Sequence, residues 1–276
     1  MRQSKTYMPI STRDLSGMPD ISVLESLTQS LALLDAVMSP EWQYRYFSFN
    51  PSWDVSLSER MASMRTGSGD EYFLLFSAGA AIMKGFDHES PMSFWTRPQG
   101  DVWPGVLDHV PERFAAFLSE PAFNLEDTTF CIWRTASDPA WCHGPVLFPE
   151  GDDPDGSEGL LWLLNGNPTA YAKFAHEYFE KDPAVEAIDE VFRHQPLTPE
   201  LIAALDVDRN FAESLRDALE IGYGLHQNLS QQRPLPCCVA PGAPPVSSPP
   251  PAFPVRQSLP SGPRRTGNRR RMGNRR

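Results

Sequence analysis

Lysine and cysteine are both scarce in this chain. Of 24 basic residues only 4 are Lys, and 4 Cys occur in 276 residues. The preference for Arg suggests a GC-rich coding sequence and a bacterial source. Cys131 and Cys142 stand far apart in the body and Cys237 and Cys238 are adjacent near the end, so a disulfide framework is excluded and the thiols are expected to be reduced. No C-x-x-C or H-E-x-x-H arrangement is present, which removes the usual structural and hydrolytic zinc motifs; neither G-x-S-x-G nor a P-loop occurs. No cofactor and no metal are therefore expected. Long apolar runs are also missing. The longest, near Tyr72 to Phe76 and Leu160 to Leu164, are strand-length and far from the ~18–20 residues of a membrane span. Arg2, Lys5 and Arg13 are followed by no apolar stretch and are interrupted by Pro9, Asp14 and Pro19, so no secretory signal is read and a cytoplasmic location is expected.

What the chain does have is acid, unevenly distributed. Residues 101–232 hold 7 Lys+Arg against 24 Asp+Glu, a net −17, whereas 233–276 hold 9 Arg, 11 Pro and no acid. With 41% hydrophobic residues, 7 Trp and 16 Phe the body can bury a substantial core. The organisation read from this is a flexible N-terminus at 1–18, a single acidic globular domain at 19–232, and a disordered Pro/Arg-rich basic tail at 233–276. An acidic body repels nucleic acid and steers basic proteins toward itself. The tail is expected to dock on that body or to be a non-native extension.

Local patterns give the elements. Val23, Leu24, Leu27, Leu31, Leu34 and Val37 recur at helical spacing, with Asp20 or Ser22 as cap and Pro40 as stop, predicting an amphipathic helix. Tyr44–Phe49 reads as a strand and Ser56–Arg65 as a short helix. Asp70–Ser77 and Ala80–Phe86, joined through Ala78 and Gly79, read as a hairpin at the centre of a sheet. A short helix is expected after Pro111, strands at Thr128–Arg134 and Gly159–Leu164, and a polar loop at Gly151–Gly156. Asn167 and Pro168 open the strongest amphipathic pattern, Tyr171, Phe174, Ala175, Tyr178 and Phe179. Further helices follow Pro183, at Pro199–Leu205, and around Phe211, Leu215, Ala218 and Leu219. Strands followed by helices, with short connections, predict an α+β fold with a mainly antiparallel sheet and a helical C-terminal third.

Among polar clusters, Asp87, His88 and Glu89 lie at the end of a predicted strand, where a carboxylate could orient an imidazole for acid–base work. The plainer alternative is a strand end making turn hydrogen bonds, since adjacent strand residues face opposite ways. Cys142–His143 is read as a small thiol beside a loop imidazole, because a nucleophile and its base need a spatial meeting that neighbours rarely supply. Gly151–Gly156 fails as a calcium loop: with Gly156 as the turn glycine, Gly151 and Trp162 fall where oxygen ligands are required, leaving a solvated acidic turn. Gly67–Asp70 precedes a strand instead of following one, so it is a turn and no phosphate loop. Trp95, Trp103 and Trp141, with Arg134 and Asp138, form the candidate partner-binding set; core packing is the competing reading for the tryptophans.

Gly69–Phe73, Gly85–Ser90, Trp103–Val106 and Thr129–Arg134 resemble an uncharacterised bacterial family over residues 40–224, a resemblance that implies no activity. Trp103, Pro111, Phe114, Phe117 and Leu118 are similar to a segment of SUKH immunity proteins, although Glu120–Pro121 stands where that family has a glycine turn. This resemblance implies a cytoplasmic protein that binds and neutralises a toxin. The function expected is a non-catalytic protein-binding module, immunity-like, for a basic partner; the alternative is a small hydrolase or other enzyme using Asp87, His88 and Glu89.

Overall fold

The computed structural model describes residues 7–97 and 101–224. The basic segment 233–276, with its expected disorder and docking, lies outside them. Six strands, β1 (Phe47–Asp54), β2 (Glu59–Arg65), β3 (Glu71–Ser77), β4 (Ala80–Phe86), β5 (Phe130–Arg134) and β6 (Cys142–His143), lie side by side in chain order. Every neighbouring pair is antiparallel. Helices α1 (Ile21–Met38), α2 (Ala115–Leu118), α3 (Ser157–Leu161), α4 (Pro168–Phe179), α5 (Val185–Phe192), α6 (Pro199–Leu205) and α7 (Phe211–Ile221) complete the α+β fold. The β3–β4 hairpin is central, as its apolar runs predict. Ser77 pairs with Ala80, and both Ala78 (φ 41°) and Gly79 (φ 74°) take the left-handed conformation that so tight a turn demands.

Both faces of the sheet are buried, which is why its central strands read as continuous apolar runs. Phe47, Phe49, Ala62, Met64, Tyr72, Leu74, Phe76 and Met83 face a core shared with α1 and α4–α7. Met61, Phe73, Leu75, Ile82, Cys131 and Trp133 face a second core, closed by Val106, Phe114, Phe117 and Phe123. Lys84 is buried on that side. Its ammonium donates to Asn124 O (2.9 Å), Asp127 O (2.6 Å) and Thr128 Oγ1 (3.2 Å), and burial lowers its pKa to about 8.

Helix α1 differs from the amphipathic reading: from Leu24 to Met38 only Ser26 escapes full burial, because β1 lies on one side and α5, α6 and α7 on others. By length and composition alone it could cross a membrane, which corrects the reading that no stretch approaches that length, but 78% of it is buried within the fold. Helix α4 begins as expected, with Asn167 Oδ1 accepting from the amides of Thr169 and Ala170 ahead of the buried Tyr171, Phe174 and Ala175.

Five expectations need correction. Residues 56–65 are not helical: Asp54 Oδ1 takes the amides of Ser56 and Leu57 to make a turn, and β2 follows. Gly159–Leu164 is no strand, since the carboxylate of Asp153 accepts from the amides of Glu158 and Gly159 and starts α3. Strand β1 begins at Phe47 and runs on to Asp54, after a 3₁₀ turn at Trp42–Tyr44, and on α7 Leu215 and Leu219 are exposed while Ser214, Ala218 and Ile221 are buried. The stretch read as loose, 1–18, enters the description at Tyr7 and is packed from there: Ile10 and Met18 join the first core and Thr12 is buried.

Candidate functional site

The cross-strand pair Glu71–Phe86 fixes what meets at the open end of the central hairpin. One step beyond it, Asp70 approaches Asp87 and His88. Asp70 Oδ1 lies 2.6 Å from His88 Nδ1 and accepts from the His88 amide at 3.1 Å. Its Oδ2 accepts from Thr66 Oγ1 (3.2 Å) and Ser68 Oγ (3.4 Å) in a turn that Gly67 and Gly69 close with positive φ. Asp87 Oδ1 accepts from the amides of Glu89 (2.8 Å) and Ser90 (3.2 Å). The 87–90 turn is docked on the 151–156 loop, because Ser90 Oγ donates to Pro154 O at 2.7 Å and Gly156 abuts the Asp87 side chain.

The electrostatics follow from these contacts. Burial opposes ionisation of Asp70, yet the hydrogen bonds from His88 outweigh it and hold the carboxyl below its usual range. The same bond to Asp70 raises the His88 pKa, and its ring stays 40% exposed. Asp87 moves the other way, raised by burial and by the charge of Asp70. Asp70, Asp87 and His88 each offer a ligand-type atom, all within 4.8 Å of one another. The sequence identified two of these three. The third partner of its trio, Glu89, is exposed and contributes its amide, and Asp70, read as the end of a turn, takes the place proposed for it.

The candidate partner-binding residues do not converge on one surface. Trp141 belongs to the first core and donates its Nε1–H to Pro19 O at 2.7 Å, which removes it from any recognition face. Arg134 pairs with Asp20 at 2.6 Å and shares with Asp138 a cleft of about 400 Å³ that Arg60 and Glu25 also line. Asp138 Oδ2 is occupied by the amide and hydroxyl of Thr135. Trp95 is 71% exposed, and Trp103 lies under the Arg97 guanidinium with its Nε1–H on Leu147 O. Cys142 and His143 also act separately: Cys142 Sγ lies 3.6 Å from Ala140 O, burial raises the thiol pKa, and His143 Nδ1 lies 2.6 Å from Gly144 O.

A second cleft, of about 550 Å³, was not foreseen. Asp152, Asp153 and Glu158 stand around it with Tyr7 and the half-exposed Trp162. The loop forming it is not uniformly solvated as expected. Asp155 is buried, bonded to Thr12 Oγ1 and Ser157, and Asp153 caps α3; Asp152 and Glu158 are the exposed acids. Arg13 reaches this loop but donates to the carbonyls of Gly151 and Asp152, so the Asp152 and Glu158 carboxylates have no ion-pair partner among the described residues. The only sign in the sequence is a tryptophan between two leucine pairs, which a strand reading absorbs.

No protein family, curated protein or solved structure matches the chain.

Proposed function

We propose that this protein is a non-catalytic binding module that takes a basic segment of a partner protein into the cleft between Asp152, Glu158 and Trp162. The observation that carries this reading is the composition of that cleft. Carboxylates with no ion-pair partner among the described residues, beside a tryptophan face, suit a Lys or Arg side chain, through charge and cation–π attraction together. The helical layer adds exposed acids at Glu180, Glu186, Glu190, Glu200 and Asp208, which would steer such a partner inward. The similarity of the Trp103–Leu118 segment to SUKH proteins extends the reading to a bacterial, cytoplasmic, immunity-like role in which the partner is a toxin. Affinity capture with the full chain and with residues 1–232, at low and moderate salt, tests it. A discrete basic protein retained by both baits and weakened by salt is expected, and Trp162→Ala should weaken it by about 2 kcal/mol, roughly 30-fold in Kd. Retention unchanged by Trp162→Ala together with Glu158→Gln would rule out this cleft.

A second reading rests on the 2.6 Å contact between Asp70 and His88, the geometry by which a carboxylate orients a general base. If substrate screening finds a turnover, His88→Ala should lower kcat by ~10²–10⁴ with the circular dichroism spectrum unchanged. A smaller effect would remove His88 from the chemistry.

A further inference from the structure

The convergence of Asp70, Asp87 and His88 has a consequence independent of partner binding. Two carboxylates and one imidazole meet there, and Asp87 has no Lys or Arg partner among the described residues. We propose that Asp70, Asp87 and His88 form a binding site for a single divalent transition-metal ion, of the kind exemplified by Zn²⁺ and Mn²⁺.

Three features of the site support this. Both carboxylates are already oriented by their own neighbours, as metal ligands usually are. Asp70 is held by Thr66 and Ser68, and Asp87 is held through Oδ1 by the amides of Glu89 and Ser90. Its Oδ2 accepts no hydrogen bond among the described residues and lies against Gly156, where a side chain could not fit. The His88 ring rests beside Gly69, whose missing Cβ would be 3.6 Å from it. The separations are also near those a metal requires. With bonds of ~2.1 Å, tetrahedral ligand atoms lie ~3.4 Å apart. Atoms now within 4.8 Å of one another need close by at most ~1.4 Å, while His88 Nδ1 and Asp70 Oδ1 open from their 2.6 Å contact as the ion replaces the proton between them. Finally, the donor set is mixed. Imidazole disfavours Ca²⁺ and Mg²⁺, and two carboxylates without thiolate suit Mn²⁺ or Zn²⁺ with water in the remaining positions.

Substoichiometric Mn²⁺ added to the full ¹⁵N-labelled chain gives a local readout. Paramagnetic broadening should be strongest for the amides of Gly69, Asp87, His88 and Gly156. Calorimetry with Mn²⁺ should show one site, weakened at least ~10-fold by His88→Ala and by Asp87→Asn, which keeps an acceptor for the Glu89 and Ser90 amides. Zn²⁺ is titrated into a Cys237→Ser/Cys238→Ser background, so that the adjacent thiols do not compete. His143→Ala should change nothing. Broadening centred elsewhere, or affinities unaltered by both ligand substitutions, would overturn the site. Should Asp87→Asn fail to fold, His88→Ala alone decides, because the ring is partly exposed and outside both cores.

Discussion

Asp35→Ala should destabilise the protein by about 3–5 kcal/mol, whereas Asp35→Asn should match the wild type near pH 4 and exceed it near pH 8. Asp35 is fully buried on α1, where its Oδ2 accepts from the amides of Tyr46 (2.7 Å) and Phe47 (2.9 Å) and its Oδ1 from Tyr171 Oη–H (2.8 Å). One carboxyl thus ties α1 to the start of β1 and to α4. Ala leaves three buried donors unsatisfied, each costing about 1–3 kcal/mol before relaxation. Asn keeps an oxygen for the two amides and can donate to the Tyr171 hydroxyl. Burial raises the Asp35 pKa to about 7 despite these bonds, against about 3.9 in an unfolded chain. The folded state therefore holds its proton more tightly. This contribution to stability is complete below the unfolded pKa and is lost as pH rises through the folded one. Between pH 4 and 8 the loss is about 4 kcal/mol, and Asn does not suffer it. Urea unfolding of the three proteins at pH 4 and 8 measures this directly, and parallel pH curves for Asp and Asn would refute it.

Asp35 also marks where the sequence stops being legible. Its place in a run of apolar helical residues reveals that α1 exists, while nothing local says that the carboxyl is buried with three donors around it. Elements written in local chemistry were readable: the Ala78–Gly79 hairpin and the Asn167–Pro168 helix start both stand where the pattern puts them. Short apolar stretches were not. Residues 59–65 form a strand buried on both faces, and 157–161 a helix started by the side chain of Asp153; over so few residues the two periodicities cannot be told apart. The same limit applies at the site. His88 and Asp87 were visible as polar residues at a strand end, but Asp70 joins them only through the register of β3 against β4, and Glu89 points to solvent. Trp141, in the candidate partner-binding set, lies instead in the first core, because burial of a tryptophan depends on packing partners far away in the chain.

The second large effect is expected at Gly156. Gly156→Ala should cost about 2–5 kcal/mol, the sum of ~1–2 for a left-handed non-glycine residue and ~1–3 for overpacking. Gly156 has φ 74°, and a Cβ there would lie 2.3 Å from both Cβ and Oδ2 of Asp87. The near end of a side chain cannot swing aside, so either the 87–90 turn or the 151–156 loop must move. Movement breaks the contacts of Asp87 with the Glu89 and Ser90 amides and that of Ser90 with Pro154. Gly159→Ala, three residues on in α3, provides the contrast. It has no positive φ, its Cβ would meet only Asp153 Oδ2 at 3.5 Å, and Ala is the better helix former, by up to ~1 kcal/mol. Two identical chemical changes in one short segment should therefore have opposite signs in denaturant unfolding. Equal stabilities would mean that the turn carrying Asp87 and His88 does not rest on this loop. The expected split would identify Gly156 as the residue that lets the acidic loop support the Asp70–Asp87–His88 cluster.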